Sequence, residues 1–314
     1  RLHCLTESVT GKTVKAGYMS DSALSLRQPD AGRIDGAALR SALGGMFISG
    51  LGPLLVRNSP VDAASTAFWR MLVGAPVALW LARREPKLPL RAKAWAIASG
   101  LLLGGDLVVW NHAVLTTTIL EATLLVMIYP LLVAGGGWLL WRERVSGRLG
   151  LGGLIAFAGL VVMTLGPVSG QSSVQGNLYA LLAAVFYTGC LLITGRLCRV
   201  HSSVAVTAWT FVGASLGALP AALFEGRLYP AAATGWAYLV VYGGITLLGY
   251  LLINRSLAKL PTNLVAVLGY GLPVVATVLA VPLMGEIPSL GDLAGAAIVV
   301  AGLTLATRSA KAAA

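Results

Sequence analysis

The chain has 314 residues, of which 57% are apolar and only 11% are charged, and its mean hydropathy is +0.80. Soluble domains carry about 25% charged residues, so a chain of this length with so few cannot cover its surface with polar groups. The net charge of +11 lies in short clusters between apolar blocks, whereas a nucleic-acid surface forms one basic stripe or patch. We therefore predict an all-α integral membrane protein without a nucleic-acid partner.

Residues 1–36 are polar and contain no apolar run. A signal peptide needs an apolar core of about 7–15 residues, so we predict a disordered cytoplasmic tail, in which Met19 is a plausible natural start. Cys4 lies in this tail, and Cys190 and Cys198 lie near one hydrophobic segment. Because no Cys-x-x-Cys or Cys/His spacing is present, the sequence predicts no disulfide framework, no metal site and no cofactor.

Ten apolar blocks follow, separated by short polar breaks. Each approaches the ~20 residues that a helix needs to cross ~30 Å of hydrocarbon, and none shows the period-two alternation of a membrane barrel. The sequence therefore predicts ten transmembrane helices. The predicted spans are 37–56, 63–81, 94–110, 123–141, 149–165, 178–193, 203–224, 235–252, 264–284 and 290–306.

Basic residues are concentrated in alternate loops. The richer loops contain Arg83, Arg84, Lys87, Arg91, Lys93, Arg142, Arg144, Arg148, Arg196, Arg199, Arg255 and Lys259. The five loops between them contain only Arg57 and Arg227. The positive-inside rule places the richer loops in the cytoplasm. Both termini, including a short tail at 309–314, are then cytoplasmic, as in a multi-pass protein of a bacterial-type inner membrane.

The most informative feature is an internal repeat, because residues 111–165 recur without a gap at 254–308, an offset of 143 residues. Five helices per unit is an odd number, so the second unit (166–308) must be inserted upside down relative to the first (37–165). Inverted repeats enclose a substrate site near the membrane midplane and open alternately to either side. The sequence thus predicts a transporter with a central cavity. The matched pairs include Asn111 with Asn254, Pro130 with Pro273, and Glu143 with Glu286.

The first spans of the two halves match more loosely. Thr66-Ala67-Phe68 in the second span resembles Thr207-Ala208-Trp209 in the seventh.

Two charged residues fall inside predicted spans, where each costs at least ~2.5 kcal/mol at a helix centre on insertion scales. Asp106 is a candidate ligand for a substrate ammonium group, or a proton carrier. For Arg70 we favour a structural role, either as an ion pair with Asp106 or with its side chain reaching the outer headgroups. His112 is predicted to be a polar loop residue rather than a proton relay.

Aromatic residues supply the remaining candidates for the cavity. Trp110 lies one turn after Asp106 on the same helix face. An acid beside an aromatic ring suits a zwitterion with a planar side chain or an organic cation, and the interfacial aromatic belt is the alternative for Trp110. We expect two or three of five further aromatic residues to contact substrate: Tyr129, Tyr187, Trp209, Tyr250 and Tyr270.

The repeat-equivalent polar residues and prolines are predicted to be structural or gating residues. Pro130 and Pro273 indicate paired kinks or hinges, with a purely packing role as the alternative. Asn111 and Asn254 are expected to cap or bridge helix ends. Glu143 and Glu286 are expected to cap the helix that follows each of them, because an acid is favoured at a helix N-terminus.

Gly-x-x-x-Gly pairs begin at residues 100, 213 and 291 and predict close helix contacts, by default inside the protomer. The oligomeric state stays open between monomer and homodimer.

Several short patterns also resemble a known family. They are Ser59-Pro60, Phe68-Trp69-Arg70, Pro130 ahead of Trp141-Arg142-Glu143-Arg144, and Gly285-Glu286. Together they resemble the drug/metabolite transporter superfamily, and more narrowly its EamA-type members, over residues 37–308. The resemblance implies a ten-helix basket with efflux toward the periplasm. Characterised relatives export amino acids and related metabolites, and the YddG-type branch exports aromatic amino acids and tolerates cationic drugs.

We therefore predict a secondary exporter of amino acids, aromatic or otherwise neutral, and of related small metabolites. Its partners would be the small-molecule substrate and membrane lipid. A lipid- or sugar-carrier flippase and a cationic drug efflux protein are alternatives from the same superfamily. A membrane-embedded enzyme would need clustered His, Asp and Glu residues, which the spans lack, and no Walker motif indicates ATP as the direct energy source.

Overall fold

The computed structural model describes residues 35–117, 119–143, 145–163, 173–275, 278 and 289–312, and the regular structure in these ranges is helical. A helical segment at 271–275 follows the eleventh helix. The helices are α1 (Gly36–Ser49), α2 (Gly52–Arg57), α3 (Ala63–Ala82), α4 (Leu90–Thr116), α5 (Ile119–Val126), α6 (Tyr129–Trp141), α7 (Gly147–Met163), α8 (Val174–Val200), α9 (Ser203–Phe224), α10 (Ala233–Leu257), α11 (Thr262–Leu268) and α12 (Leu290–Ala312).

Within the described ranges, eight segments are long and apolar enough to span a membrane, with α1–α2 and α5–α6 each counted as one segment. Two shorter apolar segments, Gly147–Met163 and Thr262–Val275, occupy the positions of the predicted fifth and ninth spans. Each predicted span therefore corresponds to helix in its described part, and the all-α membrane class is confirmed. Most of 276–284, in the predicted ninth span, lies outside the described residues.

The helix ends differ most from the prediction where the chain is polar. The helix α4 extends four residues before and six residues beyond the predicted span 94–110, and α8 extends well beyond 178–193 on both sides. Intrahelical hydrogen bonds do not depend on apolar side chains, so these helices continue past their apolar stretches. The helix α12 likewise continues through Ala312, so most of the segment predicted as a tail is helical. The predicted N-terminal tail lies outside the described residues up to residue 34.

Two of the membrane segments are interrupted at repeat-equivalent positions. A turn at 127–128 separates α5 from α6, and a turn at 269–270 separates α11 from 271–275. The repeat offset places Met127 on Tyr270. Pro130 occupies the first turn of α6, where a proline removes no helical hydrogen bond because the early N–H groups are free anyway. The predicted kinks are therefore breaks between separate helices.

The two repeats meet along α7 and α12, which pack through glycine. A Cβ atom on Gly159 would lie 2.7 Å from the carbonyl oxygen of Gly295, and one on Gly152 would lie 2.7 Å from that of Gly302. Residue numbers rise along α7 as they fall along α12, so these repeat-equivalent helices run antiparallel. Antiparallel packing of equivalent helices is the arrangement expected of an inverted repeat.

The helices α4 and α9 also pack through glycine, but in parallel. A Cβ on Gly100 would lie 2.7 Å from the Cα of Gly213, and one on Gly217 would lie 2.7 Å from the carbonyl oxygen of Leu101. The pairs that begin at Gly100 and Gly213 thus face each other inside one protomer, whereas Gly295, of the pair that begins at Gly291, meets Gly159 on α7. This parallel contact holds α4, the helix that carries Asp106, against α9.

The two ends of the bundle carry different charges. What we call the basic end contains Lys93, Arg196, Arg199 and Lys259. What we call the opposite end contains Asp62, His112, Glu225 and Arg227. Between the ends, large apolar side chains point outward, including Leu139 at 74% exposure. An outward apolar surface of this kind suits lipid as the solvent.

Candidate substrate site

The side chain of Arg70 is buried inside the bundle, at 4% exposure. Its guanidinium donates hydrogen bonds to the Tyr242 hydroxyl and, at 3.4 Å, to the Asn111 Oδ1, and it lies over the Tyr242 ring at 5.2 Å from the centroid. Asn111 is fixed in turn, because its Nδ2 donates to the Ala63 carbonyl at 2.8 Å. The helices α3, α4 and α10 therefore meet at this arginine.

Asp106 is also buried, at 6% exposure, and lies on α4 five residues before Asn111. Its carboxyl interacts electrostatically with Arg70. Among the described residues, however, no ion pair joins Arg70 and Asp106. The predicted Arg70–Asp106 ion pair is thus not formed, and Arg70 does not reach the headgroups. Arg70 instead has two neutral hydrogen-bond partners.

Two of the predicted aromatic candidates lie near Asp106. Tyr187 on α8 and Tyr250 on α10 both interact electrostatically with its carboxyl. The Tyr187 ring contacts the Tyr129 ring edge-on, with centroids 4.9 Å apart. Tyr129 in turn lies close to Tyr270. A buried acid close to the half-buried rings of Tyr187 and Tyr250 is an environment that suits a cation.

The two tryptophan candidates lie elsewhere. Trp209 is at the basic end, where the Lys93 ammonium lies 5.2 Å from its ring centroid, so the structure does not bring it to the group around Asp106. Trp110 is half-buried, lies close to Gly52 and packs against the buried cluster that contains Val56 and Tyr242.

The helix breaks carry a direct contact between the repeats. The Tyr129 hydroxyl donates to the Ala266 carbonyl at 3.0 Å, and a Cβ on Gly269 would overlap that hydroxyl. Ala266 belongs to the last turn of α11, where carbonyl groups lack helical partners. Tyr129 is fully buried at this junction, so its hydroxyl is already used by the protein. Pro273 lies in the segment after this break.

A polar cluster closes the basic end. Glu143 Oε1 accepts a hydrogen bond from Arg196 at 3.0 Å and lies 3.9 Å from the Arg199 NH1. The Arg196 guanidinium stacks on Trp141 at 3.2 Å, and Arg199 donates to the Thr262 hydroxyl at 3.3 Å. The cluster thus joins the ends of α6 and α8 to the start of α11.

This geometry differs from the predicted capping role of Glu143. The first turn of α7 is capped by Ser146, whose Oγ accepts from the Leu149 N–H at 3.3 Å. Glu143 follows Arg142, which adopts a left-handed φ of 54° after α6, and its carboxylate contacts Arg196 and Arg199 on α8. The equivalent residue, Glu286, lies outside the described residues.

A second cluster closes the opposite end. Glu225 Oε2 accepts from the Ala64 and Ser65 N–H groups at 2.7 and 3.1 Å, and Glu225 Oε1 lies 2.9 Å from His112 Nε2. Glu225 therefore caps α3 from a loop more than 150 residues away and ties it to the last turns of α4. His112 is helical rather than part of a loop.

The two equivalent asparagines make equivalent contacts. Asn111 joins α4 to α3, as described above, and the Asn254 Nδ2 donates to the Thr207 hydroxyl at 2.9 Å, which joins α10 to α9. Both residues therefore bridge neighbouring helices within their own half. Tyr242 and Glu225 were not among the predicted residues, because nothing in their local sequence marks their partners.

The EamA-like transporter family model matches the chain twice, over residues 37–165 and 174–308. The chain belongs to this family. The EamA assignment confirms the resemblance drawn from the sequence and makes the chain a multi-pass membrane transporter of a small molecule, which removes the enzyme alternative. Within the described residues, no group of three or more His, Cys, Asp or Glu side chains is placed to hold a metal ion.

Individual relatives within the EamA family are distant. The uncharacterized transporter YetK of Bacillus subtilis is 24% identical over 61% of this chain and 61% of its own length. The pseudopaline exporter CntI of Pseudomonas aeruginosa is 23% identical over 68% of this chain and 75% of its own length. The aromatic amino acid exporter YddG of Ancylobacter novellus is 30% identical over 60% of this chain and 66% of its own length. The alignments thus span about three-fifths to three-quarters of these relatives.

The fold is also found among solved structures, and a crystal structure of another protein is an example. It superposes with a TM-score of 0.70 at 24% sequence identity, and the match covers 87% of this chain and 98% of the other.

Proposed function

We propose that the protein is a secondary exporter of amino acids, aromatic or otherwise neutral, and that it works by alternating access. The observation that carries the proposal is the buried Asp106 carboxyl among Tyr187 and Tyr250. Asp106 lies ~24 Å along a helix ~40 Å long, so it is inside the hydrocarbon region. A substrate ammonium group offsets the cost of an acid at this depth, and the tyrosine rings provide faces for an apolar or aromatic side chain.

Alternating access is supported by the two polar clusters and the two helix breaks. The cluster around Glu143 ties helices together at the basic end, and the cluster around Glu225 does so at the opposite end. A substrate that reaches Asp106 from one side and leaves on the other needs each cluster to open in turn. Breaks at equivalent positions in both repeats provide places where the helices can bend, as in other inverted-repeat transporters.

The proposed orientation has the basic end in the cytoplasm of a bacterial-type inner membrane. The positive-inside rule supports this choice, because the opposite end has only Arg57 and Arg227 in its loops. Substrate would then enter past Glu143 and leave past Glu225. The relative named as an aromatic amino acid exporter is 30% identical, which supports phenylalanine as the first probe.

The proposal is tested by counterflow in proteoliposomes with labelled phenylalanine, labelled threonine and a cationic dye. We expect saturable counterflow of an amino acid that falls at least about tenfold in Asp106→Asn, because one charge partner of the substrate is removed. Asp292→Asn is the matched control, since Asp292 caps the start of α12 through Ser289 and should retain wild-type flux.

Folded protein that carries neither amino acid would contradict the proposal. Transport of the dye alone would indicate the cationic drug efflux alternative, and transport of none of the three would favour the flippase alternative or another metabolite.

A further inference from the structure

We infer that Arg70 and Asp106 are the two charged ends of a zwitterion site, in which Arg70 receives the substrate carboxylate and Asp106 the substrate ammonium. The inference rests on the proposed function and deepens it by assigning the substrate carboxylate to a named residue, Arg70. It also gives a binding role to Arg70, which the sequence predicts to be structural.

Arg70 is a buried cation that takes part in none of the ion pairs among the described residues. Its side chain is 96% buried by area, its two hydrogen-bond acceptors are the neutral Tyr242 hydroxyl and Asn111 amide oxygen, and its Nε has no hydrogen-bond partner among the described residues. A guanidinium has five N–H donors in a planar fork that matches a carboxylate. A buried charge without a counter-ion is strongly unfavourable, so this fork is suited to receive an anionic group.

Asp106 supplies the complementary half of the site. Its Cα lies ~7.5 Å along α4 from that of Asn111, the residue that holds the guanidinium. The two side chains form no ion pair with each other. Opposite charges held apart in a medium of low dielectric constant attract a ligand that places an anion beside the cation and a cation beside the anion. The α-carboxylate and α-ammonium of an amino acid have this arrangement.

Comparison of the two repeats tests whether the fold itself requires the charges of Arg70 and Asp106. The offset of 141 residues that aligns Thr66 with Thr207 places Arg70 opposite Phe211, and the offset of 143 places Asp106 opposite Gly249. The second half therefore builds the equivalent helix pair, with the equivalent Asn254 bridge, from an aromatic residue and a glycine. Since the scaffold does not require either charge in that half, the two charges in the first half point to ligand binding.

Access to the pair also fits the proposed function. Both side chains are shut off from solvent, and they lie at similar depths, ~10 Å and ~15 Å along α3 and α4 from the opposite end. Substrate reaches them only when one of the end clusters opens. The charges are then desolvated again on closure, which strengthens their interactions with the ligand.

The test is competition against counterflow of labelled phenylalanine, or of labelled threonine if phenylalanine is not carried. The competitors are the amino acid itself, its amide, which keeps the ammonium but not the carboxylate, and the corresponding acid without the amine. In wild-type protein the amino acid should compete at least about tenfold better than either one-charge analogue, because a site built to bind a polar group rejects ligands that lack it.

The variants should lose this preference selectively. Arg70→Gln should no longer prefer the amino acid to its amide but should still reject the deaminated acid, and Asp106→Asn should do the reverse. Arg255→Gln is the matched control, since Arg255 is exposed on α10. If Arg70→Gln carries no flux, ligand-induced shifts of its melting temperature give the same comparison. Misfolding would not produce opposite selectivity changes in two variants.

Equal competition by the amide and the amino acid in wild-type protein would overturn the inference while leaving the proposed function intact. An Arg70→Gln variant that still prefers the amino acid to its amide would also overturn the inference, since Arg70 would then serve only to hold α4 and α10 together. Folded wild-type protein that carries neither phenylalanine nor threonine would overturn the proposed function and the zwitterion site together.

Discussion

The hydroxyl of Tyr129 donates a hydrogen bond to the carbonyl of Ala266 at 3.0 Å, and this bond connects the helix break of one repeat to the helix break of the other. Ala266 also accepts from the Gly269 N–H at 3.0 Å. The second break is thus organised around the tyrosine ring, which fills the space left by the missing Cβ of Gly269.

Tyr129→Phe should keep the packing and lose only this bond. We expect a loss of about 1 kcal/mol in the free energy of unfolding, the usual value of one hydrogen bond, measured by denaturation in detergent. Tyr179→Phe is the control, because the Tyr179 hydroxyl receives its bond from Gln175 on the exposed surface. Equal stability of Tyr129→Phe and wild type would show that water or another donor replaces the hydroxyl.

Pro130→Ala should slow transport and leave equilibrium binding nearly unchanged. Alanine restores an N–H at the start of α6 and allows α5 and α6 to join across the turn at 127–128. The measurement compares the counterflow rate with substrate affinity from ligand-induced thermal shifts. Pro76→Ala is the control, because Pro76 lies inside α3 away from any break. Parallel losses of rate and affinity would show instead that Pro130 acts in packing.

Glu143→Gln should loosen the basic end. The neutral amide no longer compensates Arg196 and Arg199, which lie one turn apart near the end of α8 and both contact the Glu143 carboxylate. Cys198, which lies between these two arginines on α8 and is buried at 3% exposure, should then react several-fold faster with a membrane-impermeant maleimide in protein lacking Cys4 and Cys190. Glu85→Gln, in the loop after α3 and in none of these ion pairs, should not change the rate. Unchanged labelling in both variants would mean that Trp141 stacking alone closes this end.

Asp35 gives a pH prediction with a definite sign. The hydrogen bond from Lys259, and then those from the Ala38 and Ala37 N–H groups, lower the pKa of Asp35 from 3.8 to about 2. Because the folded-state pKa lies below the unfolded one, the stabilisation is complete well above pH 4 and is lost as the pH falls toward 2. Lys259→Met should therefore lower the melting temperature slightly and equally at pH 6 and pH 8.

Asp35→Asn separates the charge from the cap, since the amide oxygen can still accept from the first turn of α1. A difference between Lys259→Met and wild type that changes between pH 6 and pH 8 would have to come from another titrating group.

Gly159→Leu should prevent stable assembly of the two halves, because a side chain at this position meets the backbone of α12 at Gly295. Overpacking against backbone cannot be relieved by a rotamer change. Gly135→Ala is the control, since a Cβ on Gly135 meets no atom within 4 Å, and it should be neutral or stabilising by up to ~1 kcal/mol. Monodisperse elution in detergent distinguishes the variants, and a folded, active Gly159→Leu would contradict the close α7–α12 contact.

Much of the fold is predictable because lipid imposes simple rules on the sequence. The limits of α9 agree with the predicted span 203–224, and those of α3 agree to within one residue at either end. The ends of α4 and α8 were predicted too short because hydropathy detects the hydrocarbon layer, while residues such as His112 and Arg196 extend the helices beyond it. The break at 127–128 was predicted only as a kink, since proline marks a disturbance but not its size.

The site was predictable in part. Arg70 and Asp106 are conspicuous because a charge inside an apolar span is costly, and Tyr187 and Tyr250 lie near Asp106. The bond from Arg70 to Tyr242, 172 residues away, and the cap that Glu225 provides to α3 depend on how α3, α4, α9 and α10 pack. Local sequence does not contain this information, and it likewise failed to separate Trp209 at the basic end from the other aromatic candidates.

The glycine contact between α7 and α12 has a consequence for the ancestry of the chain. Gly152 meets Gly302 and Gly159 meets Gly295, so each half presents the same surface to the other, as in an isologous dimer. Two identical five-helix chains, inserted into the membrane in opposite directions, would form this contact without any change at the four glycines. The interface therefore suits a gene duplication and fusion of a dual-topology ancestor, after which the two copies were free to diverge, one of them gaining or keeping charges that the other lacks.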